Sequence, residues 1–600
     1  MSESSPHPEQ LDPGAEQGPW ERHIQALHWL RSYRPSQVLN DGLAAGVLTV
    51  LLLPQALAYA LLAELPPVTG LYAACVPALA YALFGTSRFV AVGPVALAAQ
   101  VTAEAVNAHS SDSVASTEVA LVLAALTGGL LILAGIAQLA QIADFVSRPV
   151  LDGFAAAVAV LIASSQLDDL LGADVDRAPQ LAGRLTNLFS AEPHLPTVTL
   201  GVTALALLVG MPRAVEWACR RLDVPQRWHS PIARTVPLVV LGAVMWVTWA
   251  FGLNDRGVAV VGRIDVPWPQ PSLPGEPLAL ARDLLPTAAI LAVLIFVIGL
   301  AVARSLAEKD TDIDPNQEML ALGAANLGAA VVGGLPVGAS VSRSSVSRDA
   351  GASTVLAVVL AGGLAITLAT FTGPLLAYLP KTAMAALILS AIFGLVDLPR
   401  IRRTWRADRS DGTVLAVTFL AALVTGVEWG LAFGVLVSLI HHLWAVARPE
   451  VVVLGPSDDG GGARGARRDD IEEAFPSPVL VLRIDQQLFF GNASWVRQKI
   501  IDEILNSDEV TPRCLLFDLR SVNAVDVTAM DMLATLLADL EAAGFRTALA
   551  EAKEPIQAKL EGFLPENLPS EGCFVDVNDA VDVLCGDLDE DDLRVFRAKK

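Results

Sequence analysis

Charge is scarce in this chain. Only 17% of its 600 residues are Asp, Glu, Lys or Arg, whereas soluble domains carry about a quarter. The five cysteines (Cys75, Cys219, Cys514, Cys573 and Cys585) show no metal-ligand spacing, and an odd count leaves no disulfide framework. There is no P-loop, no zinc spacing and no Ser/His/Asp grouping that a pattern assembles. No enzyme, no cofactor and no metal is therefore expected. His441-His442 comes nearest to a metal pair, but adjacent residues point different ways on a helix, and both read as interfacial. Basic residues are the minority, 41 against 63 acids for a net charge of −22, which excludes a nucleic-acid partner needing a basic face. The first 40 residues are polar and show no cleavable signal peptide, so the N-terminus is expected to stay in the cytoplasm.

What the chain does have is apolar bulk: 53% hydrophobic residues and a mean hydropathy of +0.51. Lipid would not tolerate −22 charges, so charge and apolar bulk must be segregated. Pro456–Lys600 holds 29 acids and 15 bases, −14 of the total. A membrane part followed by an acidic, water-facing part follows. Apolar runs cover Leu43–Ala63, Leu71–Phe84, Val95–Val106, Val119–Ala140, Pro149–Leu167, Val198–Met211, Thr235–Phe251 and Leu284–Ala303. A second set covers Met319–Val332, Ser340–Ser347, Thr354–Thr370, Ala383–Leu395, Leu415–Val427 and Leu431–Val446. Several are shorter than the roughly 20 residues of a simple spanning helix, and we read about 14 spans over 41–447. Arg213, Arg220, Arg221, Arg227 and Arg234 then share the cytoplasmic side with Arg400, Arg402, Arg403, Arg406 and Arg409, while Asp168–Asp176 and the Lys/Arg-free Asn107–Glu118 fall outside. A multi-pass plasma-membrane protein, contacting membrane lipid and with both termini cytoplasmic, is the expectation.

After Pro449 the pattern changes. Residues 448–477, with the Gly/Arg/Asp stretch Asp458–Arg468, read as a linker. Strand patterns at Val479–Ile484, Cys514–Leu519 and Arg546–Glu551 alternate with helix patterns at Ser494–Leu505 and Ala529–Ala542, the latter behind Asp526. This is a small cytoplasmic α/β domain over 478–590, with a charged tail at 591–600. Asp526-Val527-Thr528 reads as a helix N-cap turn.

The membrane part repeats itself. About 50 residues after the helix starting near Leu43 comes Val92-Gly93-Pro94-Val95, and a like distance after Leu284 comes Gly333-Gly334-Leu335-Pro336, then Gly338 and Ser340-Val341-Ser342-Arg343-Ser344. Short Gly/Pro-broken segments at matching places in two halves point to a transporter binding site. A helix beginning in mid-membrane leaves N–H groups unpaired and its positive dipole end exposed. Pro94 suits a first-turn position, and two such ends cradle an anion. Arg343 adds a full charge, and Ser340, Ser342 and Ser344 add hydroxyl donors. The bland reading of Arg343 is a place near the cytoplasmic interface or a pair with an acid such as Glu318.

At these residues the chain resembles the sulfate permease (SulP) family, solute carrier family 26. The resemblance is carried by Leu53-Pro54-Gln55-Ala56-Leu57-Ala58-Tyr59-Ala60, Leu65-Pro66-Pro67, Gly70-Leu71-Tyr72, Phe84-Gly85-Thr86-Ser87-Arg88, Asn316-Gln317-Glu318, Gly323, Asn326 and Ser342-Arg343-Ser344. Asp518, Val525-Asp526-Val527-Thr528 and Phe490-Gly491-Asn492-Ala493 resemble the appended STAS domain. The resemblance implies a 7+7 inverted-repeat membrane domain split into core and gate, a homodimer, and elevator-like secondary transport of a small anion such as sulfate, bicarbonate, chloride or a dicarboxylate. Carried over by position, Gln55, Tyr59, Pro94, Val95, Ser342 and Arg343 would line the anion site. Ile298 falls where many microbial relatives carry an acid, which weakens cation coupling there and leaves Glu64 and Glu104 as candidates. Two other readings stand beside this one: a nucleobase permease of the same fold, and a membrane-anchored scaffold whose STAS domain docks a cytoplasmic partner.

Overall fold

The structure is a computed structural model describing residues 29–30, 33–110, 114–141, 146–172, 193–225, 232–233, 235–262, 277–307, 313–392, 396–455, 464–465, 479–505, 512–563 and 572–585. It divides into two compact units, Met1–Ser438 and Leu439–Lys600.

The first unit is built from helices α1 (Pro35–Leu62), α2 (Pro67–Phe84), α3 (Ala96–His109), α4 (Ser116–Ile136), α5 (Arg148–Leu171), α6 (Leu195–Arg221) and α7 (Val236–Ala250). There follow α8 (Pro277–Leu306), α9 (Pro315–Val331), α10 (Val341–Asp349), α11 (Leu356–Leu376), α12 (Lys381–Ile392), α13 (Leu398–Ala407), α14 (Arg409–Thr425) and α15 (Val427–Ala447), whose last nine residues fall in the second unit. Two-residue strands β1 (Val92–Gly93) and β2 (Gly338–Ala339) precede α3 and α10. Leaving out α13, each of the fourteen apolar runs has its own helix. Among the described residues, eight helices are long and apolar enough to cross a membrane. By contrast α3, with 14 residues, and α10, with 9, are half-helices.

With α13 set aside, α1–α7 and α8–α15 are two sets of seven helices, and β1 pairs antiparallel with β2 (Val92↔Ala339, Gly93↔Gly338). Antiparallel pairing of equivalent segments is what an inverted repeat produces at its axis. Helices α1–α4 pack chiefly with α8–α11, and α5–α7 chiefly with α12 and α14, giving a core and a gate. Close packing in the core rests on small residues: a Cβ on Gly128 of α4 would stand 2.7 Å from the Leu327 nitrogen and 2.8 Å from the Gly323 carbonyl oxygen of α9. In lipid such close approach, and not a solvent-driven force, is what holds helices together.

Buried carboxylates brace the core. Asp41, at the start of α1, accepts from the Ser353 and Thr354 backbone nitrogens (2.7 and 3.0 Å) and from the Thr354 hydroxyl (2.7 Å), tying α1 to the entry of α11. Glu318, in the first turn of α9, accepts from Tyr81 Oη (2.8 Å), Thr86 N (2.8 Å), Thr86 Oγ1 (2.6 Å) and Ser87 N (3.2 Å). It thereby anchors the turn that leads from α2 into β1.

The second unit carries one six-stranded sheet in the order β4-β3-β5-β6-β7-β8. Its strands are β3 (Val451–Gly455), β4 (Arg464–Gly465), β5 (Val479–Ile484), β6 (Cys514–Asp518), β7 (Arg546–Ala550) and β8 (Cys573–Phe574). Strands β5 to β8 run parallel, and β3 pairs antiparallel with β5. Helices α16 (Ala493–Leu505), α17 (Val527–Ala542), α18 (Glu554–Phe563) and α19 (Val577–Cys585) complete the fold. Asp526 caps α17, accepting from Ala529 N at 2.9 Å. The sequence reading missed β3: it lies within the stretch read as linker, because a lone apolar run flanked by Gly and Pro carries no helix beside it to mark an α/β unit.

Candidate anion-binding site

The two half-helices meet where β1 crosses β2, and Arg343 lies at that crossing. It sits in the first turn of α10 and is 2% exposed. Its Nη2 donates to the Pro94 carbonyl at 2.8 Å and its Nη1 to Gln55 Oε1 at 3.1 Å. Both partners are neutral, so the guanidinium keeps its full charge. Its Nε has no hydrogen-bond partner. Gly93 makes room for it, since a Cβ there would be 3.3 Å from Nη2. The alternative pairing with Glu318 does not occur, because that carboxylate is engaged by Tyr81, Thr86 and Ser87.

The other expected residues fall into two groups. Gln55 touches Arg343 directly, next to Pro54, which interrupts the α1 backbone ladder at this level. Tyr59 is one turn further along α1 on the same face and is buried. Val95 is half-buried as the N-cap of α3 and offers no side-chain cap, so the first N–H groups of α3 keep their donor capacity. Pro94 is not in the first turn of α3 but just outside it, with its carbonyl turned to Arg343. Ser342 is exposed on α10.

The serine hydroxyls serve the framework. Ser340 Oγ caps α10 by accepting from Arg343 N (3.4 Å), and Ser344 Oγ accepts from Ala91 N (2.8 Å), fastening β1 to α10. The sequence reading gave Asn326 no role, yet its side-chain amide brackets Val337: Nδ2 donates to the Val337 carbonyl at 3.0 Å, and Oδ1 accepts from Val337 N at 2.9 Å. Its place in the family pattern, seven residues before the Gly333-Gly334 break, was the signal that could have found it.

Ile298 lines a small apolar crevice with Val95, Leu291, Leu294, Ile295, Gly338 and Ala339. The position aligned with an acid thus borders the crossing and bears no charge. Glu104 lies eight residues into α3, roughly 12 Å along its axis from the helix start, and accepts from Gln100 at 3.4 Å. Glu64 accepts from Asn107 at 3.0 Å. Neither acid is paired with Arg343.

In the second unit, charge gathers at the carboxyl ends of the parallel strands. Arg483 forms a two-point pair with Asp485 (2.5 and 2.8 Å), and Arg520 Nη2 donates to Glu551 at 2.9 Å. Asp518 is fully buried and accepts from Arg520 N at 2.9 Å, while its Oδ2 has no hydrogen-bond partner. Burial pushes the Asp518 carboxyl above its ordinary 3.8, and the neighbouring arginines only partly offset this. An acid whose folded pKa is raised binds its proton more readily in the native state. Its contribution therefore falls as pH rises through and above the ordinary value. Thermal unfolding of the wild type and of Asp518→Asn, which keeps the Oδ1 acceptor, is expected to show the wild type losing stability relative to the variant as pH rises from about 4 toward the raised folded value, and no further change above it. Parallel profiles would refute this.

A buried, uncompensated guanidinium at the crossing of two half-helices, within an inverted repeat of core and gate, defines a multi-pass membrane carrier with a site for negative charge. Residues 39–418 match the sulfate permease family and residues 470–567 the STAS domain. The chain belongs to the sulfate permease family: it is an anion transporter carrying a STAS domain, and not an enzyme. It is 33% identical over 539 residues to a probable sulfate transporter of Mycobacterium tuberculosis (strain ATCC 25618 / H37Rv), covering 88% of this chain and 92% of that one. It is 29% identical over 572 residues to sulfate transporter 4.1, chloroplastic, of Arabidopsis thaliana, covering 93% and 82%. Its fold is similar to that of the murine solute carrier 26 family member A9 anion transporter in the inward-facing state, with TM-score 0.83, 21% identity and coverage of 96% and 97%. The transmembrane domain of a cyanobacterium bicarbonate transporter BicA gives TM-score 0.54 at 18% identity, covering 68% of this chain and 98% of that one.

Proposed function

We propose that the protein carries a small anion across the plasma membrane by secondary active transport, with the anion held between the N-termini of α3 and α10 beside Arg343. The observation that carries this reading is the Arg343 guanidinium, 2% exposed and bonded only to neutral acceptors. An isolated buried charge is costly, and an anion bound next to it offsets that cost. The neutral Ile298 and the absence of an acid beside Arg343 speak against a nucleobase ring as substrate. Sulfate is the first anion to test, in view of the relatives' names, followed by bicarbonate, chloride and dicarboxylates.

Transport by an elevator-like motion of the core against the gate suits two bodies that meet along α1 and the half-helix α3. The arginine-rich loops support cytoplasmic termini. A homodimer, and a cytoplasmic partner for the STAS domain, complete the proposal. Purified protein in liposomes is expected to take up labelled sulfate, with unlabelled members of the anion set competing. Uptake of uracil or xanthine with no anion flux would overturn it.

A further inference from the structure

Helix α13 joins α12 to α14 yet buries none of its ten residues. It is a separate helix by its capping: Asp397 accepts from Arg400 N at 2.9 Å, and Asp408 closes α13 and caps α14, accepting from Ser410 N at 2.7 Å. Its apolar residues Leu398, Ile401 and Trp405 recur at spacings of three and four, forming one stripe. Trp405 fixes the helix against α14, where a Cβ on Gly412 would stand 2.6 Å from the indole. Leu398 remains 68% exposed.

The other face is basic. Arg400 is paired with Asp152 (3.6 Å) and Asp397 (3.8 Å). Arg402, Arg403 and Arg406 have no acidic partner among the described residues. With Leu398 and Pro399 they line an open groove of about 500 Å³. Arg402 and Arg406 are four residues apart on the same face, an arrangement that repels unless an anion lies between them.

We propose that α13 lies in the membrane interface and that Arg402, Arg403 and Arg406 bind the phosphate headgroups of anionic phospholipids, with Leu398 and Trp405 turned to the acyl region. Two features of the chain select lipid over a soluble anion. The helix before and the helix after α13 belong to the membrane domain, and the apolar stripe borders the groove, as in helices that lie in a membrane surface. Each arginine close to an anionic surface strengthens association about fivefold, so three together contribute on the order of a hundredfold.

The test is hydrogen–deuterium exchange of residues 398–407 in the full chain, in phosphatidylcholine nanodiscs with and without phosphatidylglycerol. Wild type is expected to exchange more slowly in the anionic discs. The R402Q/R403Q/R406Q variant is expected to lose this difference while retaining its fold, since these side chains are exposed, and the triple Lys variant to keep it in large part. Equal protection in neutral discs overturns the proposal. So does equal protection in detergent with inorganic phosphate, which would assign the groove to a free anion. Protection that disappears on deleting residues 586–600 would assign the arginines to the chain's own C-terminal acids Asp587–Asp592, and would likewise overturn it.

Discussion

Arg343→Ala is expected to lower anion uptake in liposomes by about two to three orders of magnitude. A unit charge about 4 Å from a bound anion contributes roughly 4 kcal/mol at an effective dielectric constant of 20, close to a thousandfold in affinity. The substitution also leaves the Pro94 carbonyl and Gln55 Oε1 without their donor, at about 1–3 kcal/mol each. Removing the buried guanidinium removes its own desolvation penalty in return, so the fold should survive. Thermal unfolding in detergent checks this independently of flux. Arg343→Lys retains the charge but lacks the planar fork that reaches two acceptors, and its uptake should fall between the two. Undiminished uptake by a folded Arg343→Ala protein would remove the arginine from the site.

The second large effect is on stability. Glu318 is fully buried and receives four hydrogen bonds, and an ionised carboxylate is the acceptor-only group that suits four donors. Glu318→Ala strands the two backbone N–H groups of Thr86 and Ser87 and the hydroxyls of Tyr81 and Thr86. At about 1–3 kcal/mol for each buried unsatisfied group, the loss exceeds roughly 4 kcal/mol and belongs to the exceptional class of point substitutions. Glu318→Gln retains the shape but turns an amide N–H₂ toward donors, so an intermediate loss is expected. Unfolding temperatures of the three proteins in one detergent decide it. An alanine variant as stable as wild type would mean that the turn from α2 into β1 is held by other contacts.

These two residues also mark where pattern reading ended. Arg343 stood out as a charge in an apolar stretch, but Glu318 was read only as a possible partner for it. Their actual partners are separated from them by 249 positions, in the case of Pro94, and 232, in the case of Thr86. The Ser340 and Ser344 hydroxyls, expected as donors to an anion, also accept backbone N–H groups that complete the cap of α10 and the tie to β1. A serine next to a helix start satisfies backbone donors first, because they are fixed beside it. Helix α13 was read only as an arginine-rich loop, since ten residues with a narrow apolar stripe give little signal beside neighbours that are apolar all round.

By itself the sequence determined the membrane spans, their division into two related halves and the α/β character of the acidic C-terminal part. Hydropathy, helical and strand periodicity, and Gly/Pro breaks are local properties, legible within windows of about 11–18 residues. The tertiary structure alone decided that β1 and β2 pair, that Arg343 meets Pro94 and Gln55 while Glu318 is engaged elsewhere, and that Pro94 turns its carbonyl, and not a helical first turn, to the site. The choice among hydrogen-bond partners depends on which distant backbone groups the folding of two half-repeats brings within 3 Å, and no local pattern encodes that distance.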